Sequence, residues 1–143
     1  MNDLADRIAA AFRTDSSPPE RIVVHRCDEC ERVSSDFAGR KWIELSQDVL
    51  AYHHDSIPLF SPEAFAYYLP AYLLFVAKDP DRIGEMVLYG LGPTRGERAT
   101  ERRAACNYSA EQLRLIIEVA ELIAGDDSDH FGRFLRRARE YWA

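Results

Sequence analysis

The stretch Ser61-Pro-Glu-Ala-Phe-Ala-Tyr-Tyr-Leu-Pro-Ala-Tyr-Leu-Leu-Phe-Val-Ala77 decides the fold. Its first three residues are a helix start: Ser is a favoured N-cap, Pro suits the first helical position, and Glu complements the helix dipole. The fourteen residues from Ala64 are apolar on nearly every face. A helix of that kind belongs in the middle of a domain. Pro70 removes one backbone donor and crowds the carbonyl of Ala66, so a kink is expected there. The run is too short and too Pro-interrupted for a membrane span.

Working outward, helical patterns appear on both sides. Leu4, Ile8, Ala11 and Phe12 share a face, and Asp15-Ser-Ser-Pro-Pro19 breaks the segment. The β-branched Arg21-Ile-Val-Val-His25 reads as a short β segment or an extended connector. Cys27 to Phe37 reads as a short helix stopped by Gly39, and Gln47 to Tyr52 as another. Asp79-Pro80 starts a helix to about Tyr89, with Ile83, Met86 and Val87 inward. Gly90 to Gly96 is a loop by composition. Ser109-Ala-Glu-Gln112 has the form of a capping box and opens a helix with Leu113, Ile116, Ile117, Ala120 and Ile123 inward, closed by Gly125. A last helix, about Ser128 to Tyr141, turns Phe131, Phe134, Leu135 and Ala138 in and Arg133, Arg136, Arg137 and Arg139 out. No repeat or linker interrupts the chain, so 1–143 is expected to be one compact all-α domain.

At 143 residues with 47% hydrophobic and 29% charged side chains, the chain is long enough to bury a real core. Its net charge of −6 argues against nucleic-acid binding and favours cationic partners. Residues 1–60 hold 11 acidic against 7 basic side chains, so the first half is the more acidic. The N-terminal residues carry acids where a secretion signal needs a basic start, and three cysteines form no disulfide framework. A reducing cytoplasmic setting is expected.

The run Ser61 to Leu73, with Cys27-Asp-Glu-Cys30, Phe37-Ala-Gly39, Trp42 and His54, resembles a family of small bacterial proteins classed as a domain of unknown function, family 6714. The resemblance is best between about residues 22 and 80. It implies a bacterial origin and carries no activity or catalytic residue with it. Proteins of this size and kind often sit beside polymorphic toxins as immunity proteins, which is an analogy.

Three groups of residues bear chemistry. His25, Cys27 and Cys30 have zinc-like spacing, with Cys106, His53, His54 or His130 as a fourth ligand. The competing reading is two small buried thiols on a core-facing helix, and a thioredoxin-like role lacks its βαβ setting. His53-His54-Asp55 offers a base beside a carboxylate, against a turn histidine and a histidine at a helix C-terminus. Gly90-x-Gly92 with Arg95, Arg98, Arg102 and Arg103 lacks the phosphate-loop pattern and reads as a solvated basic loop. With no catalytic signature, the preferred function is a protein-binding module, most concretely an immunity-type inhibitor of a basic toxin. Its contacts would be Asp28, Glu29, Glu31, Asp36, Glu44, Asp48 and Asp55. The alternative is a zinc-binding protein or metal-dependent hydrolase on His25, Cys27 and Cys30. A structural subunit of a larger assembly is a third reading, and oligomeric state stays open.

Overall fold

The computed structural model describes residues 3–12, 14–93 and 97–143, and among them the chain folds into eight α-helices. These are α1 (Asp3–Ala11), α2 (Asp28–Phe37), α3 (Gln47–Tyr52), α4 (Pro62–Lys78), α5 (Pro80–Leu91), α6 (Glu97–Ala105), α7 (Ala110–Ala124) and α8 (Ser128–Trp142). Single 3₁₀ turns at Trp42–Glu44 and Ile57–Leu59 link the short helices. The segment 21–25 is a connector with one antiparallel bridge between Val23 and Phe60, and it is anchored further by the buried Ile22 and by the Arg21–Glu63 ion pair. The outcome is a single all-α domain.

The caps form as the sequence dictates. Ser61 Oγ accepts from Ala64 N–H and Ser46 Oγ from Val49 N–H. Ser109 and Gln112 close a reciprocal capping box. Gly39 and Gly125 adopt positive φ of 74° and 54° just past the ends of α2 and α7, a backbone state that favours glycine.

The largely apolar α4 lies at the centre, against α1, α3, α5, α6, α7 and the turn at Trp42. Burying each of its large side chains contributes about 2 kcal/mol. The helix passes through Pro70 without a break, and the carbonyl of Ala66, which loses its helical donor there, accepts from the Tyr108 hydroxyl at 2.6 Å. A recess of about 180 Å³ flanks this point, lined in part by Tyr67, Pro70 and Tyr108.

Two expectations are corrected. Gly90 is not in a loop: α5 runs on to Leu91, and a Cβ on Gly90 would stand 3.1 Å from Ile57, so the residue marks a close approach of helix and turn. The basic stretch is not a solvated loop either, because 97–105 is α6 and its Arg102 is 2% exposed. Thr94, Arg95, Gly96 and the Arg98 side chain lie outside the described residues. On α7, Ile116 and Ala120 are buried as expected, but Leu115 and Val119 join them while Leu113, Ile117 and Ile123 are half-buried. The helix is wedged among α1, α4, α5 and α8, so its apolar face is wider than one stripe.

Tyr108→Phe is expected to cost about 1–2 kcal/mol in urea unfolding. In a Pro70→Ala background the cost should shrink, since residue 70 then donates to Ala66. Equal costs in both backgrounds would show that this carbonyl is not what the hydroxyl stabilises.

Candidate functional site

Chemistry-bearing side chains gather in a cleft of about 370 Å³ between the start of α2 and the turn that follows α3. Asp28, Glu29 and Arg32 come from α2; Tyr52, His53, His54, Asp55 and Ser56 come from the end of α3 and its turn. Cys27 caps α2 in extended backbone, which turns Asp28 and Glu29 outward in the first helical turn, where the dipole favours acids. Tyr52 is 59% exposed at the rim, and its hydroxyl accepts from the Arg32 guanidinium at 2.6 Å.

His53 forms the floor. It is 2% exposed and sits at the C-cap of α3. Its Nε2 lies 2.7 Å from an Asp36 carboxylate oxygen and its Nδ1 3.1 Å from Ser56 Oγ. In a neutral ring, Nε2–H donating to Asp36 leaves Nδ1 to accept from the Ser56 hydroxyl. The ring lies against Phe37 and Tyr52, and the His53 carbonyl accepts from the Tyr72 hydroxyl. Burial drives the Tyr72 phenol well above its ordinary value, so it stays a donor. Serine, histidine and aspartate in one chain of bonds resemble a nucleophile relay. Ser56, however, is 2% exposed, and its hydroxyl is engaged with His53 at the edge of the cleft. The chain of bonds ties α2, α3 and α4 together.

Of the seven acids expected at a partner surface, the cleft collects three: Asp28, Glu29 and Asp55. Glu31 is exposed on α2 outside it. Asp36 is taken by His53, Asp48 lies 3.7 Å from Arg82, and Glu44 sits in the turn at Trp42. Tyr52 and Arg32 were not readable as site residues; an exposed tyrosine closing a short helix was the available signal.

The expected zinc ligands do not come together as a metal site. Among the described residues, no group of three or more His, Cys, Asp or Glu side chains is placed to hold a metal ion. His25 and Cys27 are exposed and Cys30 is buried. The reading of two thiols sharing a buried face is also corrected: Cys27 is the α2 N-cap, its Sγ accepting from Cys30 N–H at 3.1 Å. Cys106 is 3% exposed, and burial pushes its thiol up to about 12. In a wider, open hollow of about 520 Å³ between Pro93, α6 and Tyr141, the cation among the described residues is Arg103, whose Nε already donates to the Tyr141 carbonyl. No helix among the described residues is long and apolar enough to cross a membrane.

His53→Ala is expected to lower stability by about 2–4 kcal/mol, through a cavity and stranded partners. His54→Ala should cost under about 1 kcal/mol, since His54 is half-buried and bonded to the Ala51 carbonyl. Similar losses for both, in matched urea unfolding curves, would remove His53 from its tying role.

A family model described as a family of unknown function (DUF6714) matches residues 2–143, well past the stretch 22–80 where the sequence motifs concentrate. No curated protein and no solved structure matches the chain. With nearly every residue covered, the chain belongs to the DUF6714 family.

Proposed function

We propose that this chain is a protein-binding module that docks a basic partner over the cleft between α2 and the α3 turn. In its most concrete form it is an immunity-type inhibitor covering the cationic active site of a bacterial toxin. The observation that carries the reading is the convergence of Asp28, Glu29 and Asp55 around a recess with the exposed Tyr52 at its rim. A recess of about 370 Å³ accepts a lysine or arginine side chain with part of its neighbours.

Each element has a distinct part. The three carboxylates and the net charge of −6 raise the on-rate for a cationic surface, an effect that salt screens. Tyr52 presents an aromatic face at low entropic cost, the kind of anchor that slows dissociation. Arg32, held beneath Tyr52 by its hydrogen bond, fixes the ring and limits how many cations enter. The buried His53 floor keeps both walls in register, so the acids are arranged before the partner arrives.

Capture of a stoichiometric basic partner at low salt, released at moderate salt, is the first test. Asp28→Asn/Glu29→Gln/Asp55→Asn should then weaken that complex by about 10- to 100-fold and flatten its salt dependence. Tyr52→Ala should act mainly on the off-rate. Unchanged affinity and salt dependence in the triple variant would exclude this face as the docking surface.

A further inference from the structure

The dithiol at the head of α2 stays outside both the docking reading and the metal geometry, yet its two sulfurs are placed very differently. Cys27 is exposed, adopts φ −155° and ψ 168° as the N-cap, and its Sγ accepts from the Cys30 backbone N–H. Cys30, one helical turn on, is 1% exposed. We infer that Cys27 and Cys30 form a dithiol–disulfide exchange site in which Cys27 attacks and Cys30 resolves, and whose substrate is a disulfide carried on a cationic molecule. The inference is independent of the docking reading, because a small disulfide needs no partner protein.

The roles follow from the geometry. Cys27 is the sulfur that a disulfide in solvent can reach, held at the helix N-terminus by a backbone N–H, and the thiolate is the form that attacks disulfides. Cys30 has the opposite setting. Its hydrogen bond to Cys27 is the largest cause, and burial the next, of a thiol pushed up to about 11. Cys30 therefore stays protonated while Cys27 is free. Once Cys27 carries a mixed disulfide, its free sulfur and the hydrogen bond it took from the Cys30 thiol are gone. The main restraint on Cys30 ionisation goes with them. A βαβ setting is not what this chemistry requires; an exposed cap and a covered second thiol three residues later suffice.

The reaction balances as two exchanges. The Cys27 thiolate bonds to one sulfur of R–S–S–R′, the S–S electron pair leaves with R′S⁻, and R′S⁻ takes a proton from water. The Cys30 thiol gives its proton to solvent, bonds to Cys27 Sγ and expels RS⁻, which is protonated in turn. The dithiol is oxidised by two electrons, and the substrate disulfide is reduced to two thiols. Substrate charge is set by the neighbours, since Asp28, Glu29 and Glu31 fill the first turn of α2 directly beside Cys27. They favour a cationic disulfide over an anionic one.

The test uses the full chain, reduced, with cystamine as a cationic disulfide and oxidised glutathione as an anionic one of similar leaving group. After cystamine treatment, alkylation and mass spectrometry should find one alkylatable thiol of the three, Cys106, and an intramolecular Cys27–Cys30 bond. Cys30→Ser should instead hold a lasting mixed disulfide at Cys27, and Cys27→Ser should leave Cys30 unreacted. Cystamine should react about tenfold faster than oxidised glutathione at low salt, with the gap closing as salt rises. Wild-type protein that keeps both thiols under excess cystamine, or that accumulates the mixed disulfide as Cys30→Ser does, would overturn the exchange site. Equal rates for the two disulfides would overturn the cationic substrate class.

Discussion

The guanidinium of Arg102 is the interaction on which the two halves of the molecule depend. It is 2% exposed, and one of its terminal nitrogens lies 3.1, 2.8 and 2.8 Å from the carbonyls of Ile57, Pro58 and Phe60. Two N–H groups shared among three acceptors make one of these bonds bifurcated. The cation also stands 4.7 Å from the centre of the Phe65 ring. Residues 57–60 form a tight turn just before α4, in which the Ile57 carbonyl accepts one 3₁₀ bond from Phe60 N–H and the Pro58 and Phe60 carbonyls are met by the guanidinium. Arg102 reaches them from α6, across more than forty residues, and fixes the turn against α4. Ser56 and Asp55, which form one wall of the cleft, are the residues immediately before that turn.

The same arrangement recurs wherever backbone leaves a regular helix inside the protein. Tyr68 places its hydroxyl within 2.8 Å of the Phe37 and Arg40 carbonyls, Tyr72 serves His53, and Tyr67 serves Ser16. The Trp142 indole donates to Leu91, the Gln112 amide to Ala11, and the Tyr108 hydroxyl to the carbonyl orphaned by Pro70. Nearly every long polar donor in the core thus satisfies a helix end or an irregular stretch. This explains how residues 14–60, with only two short helices and a single β-bridge, are held firmly enough to shape a cleft. The tyrosines of α4 combine a ring that fills the core with a hydroxyl that reaches its edge.

How much of this was legible follows the range of each interaction. Caps at Ser61 and Ser109 were readable because a hydroxyl meets an N–H three residues away. The centrality of α4 was readable from its lack of a polar face. The helix α6 was not, because its deeply buried side chain is an arginine and no apolar period marks it. Gly90 misled for a related reason: glycine signals a turn locally, but here it admits Ile57 from a distant segment. At the site, acidity alone could not separate Asp55, which faces the cleft, from Asp36, which His53 engages across seventeen positions. The dithiol was visible as a motif, but which sulfur caps the helix depended on a start one residue later than the pattern suggested.

Arg102→Met is the most direct test of this dependence, because methionine keeps much of the volume and removes the donors. The measurement is urea unfolding combined with native-state amide exchange across residues 56–61. The expected result is a loss of about 3 kcal/mol or more, with exchange rising first at Phe60 and at Ser61, whose amides donate to Ile57 and Ile22. A loss below about 1 kcal/mol with exchange unchanged in this turn would show that α6 does not hold it, and the link drawn from the core to the cleft would fail.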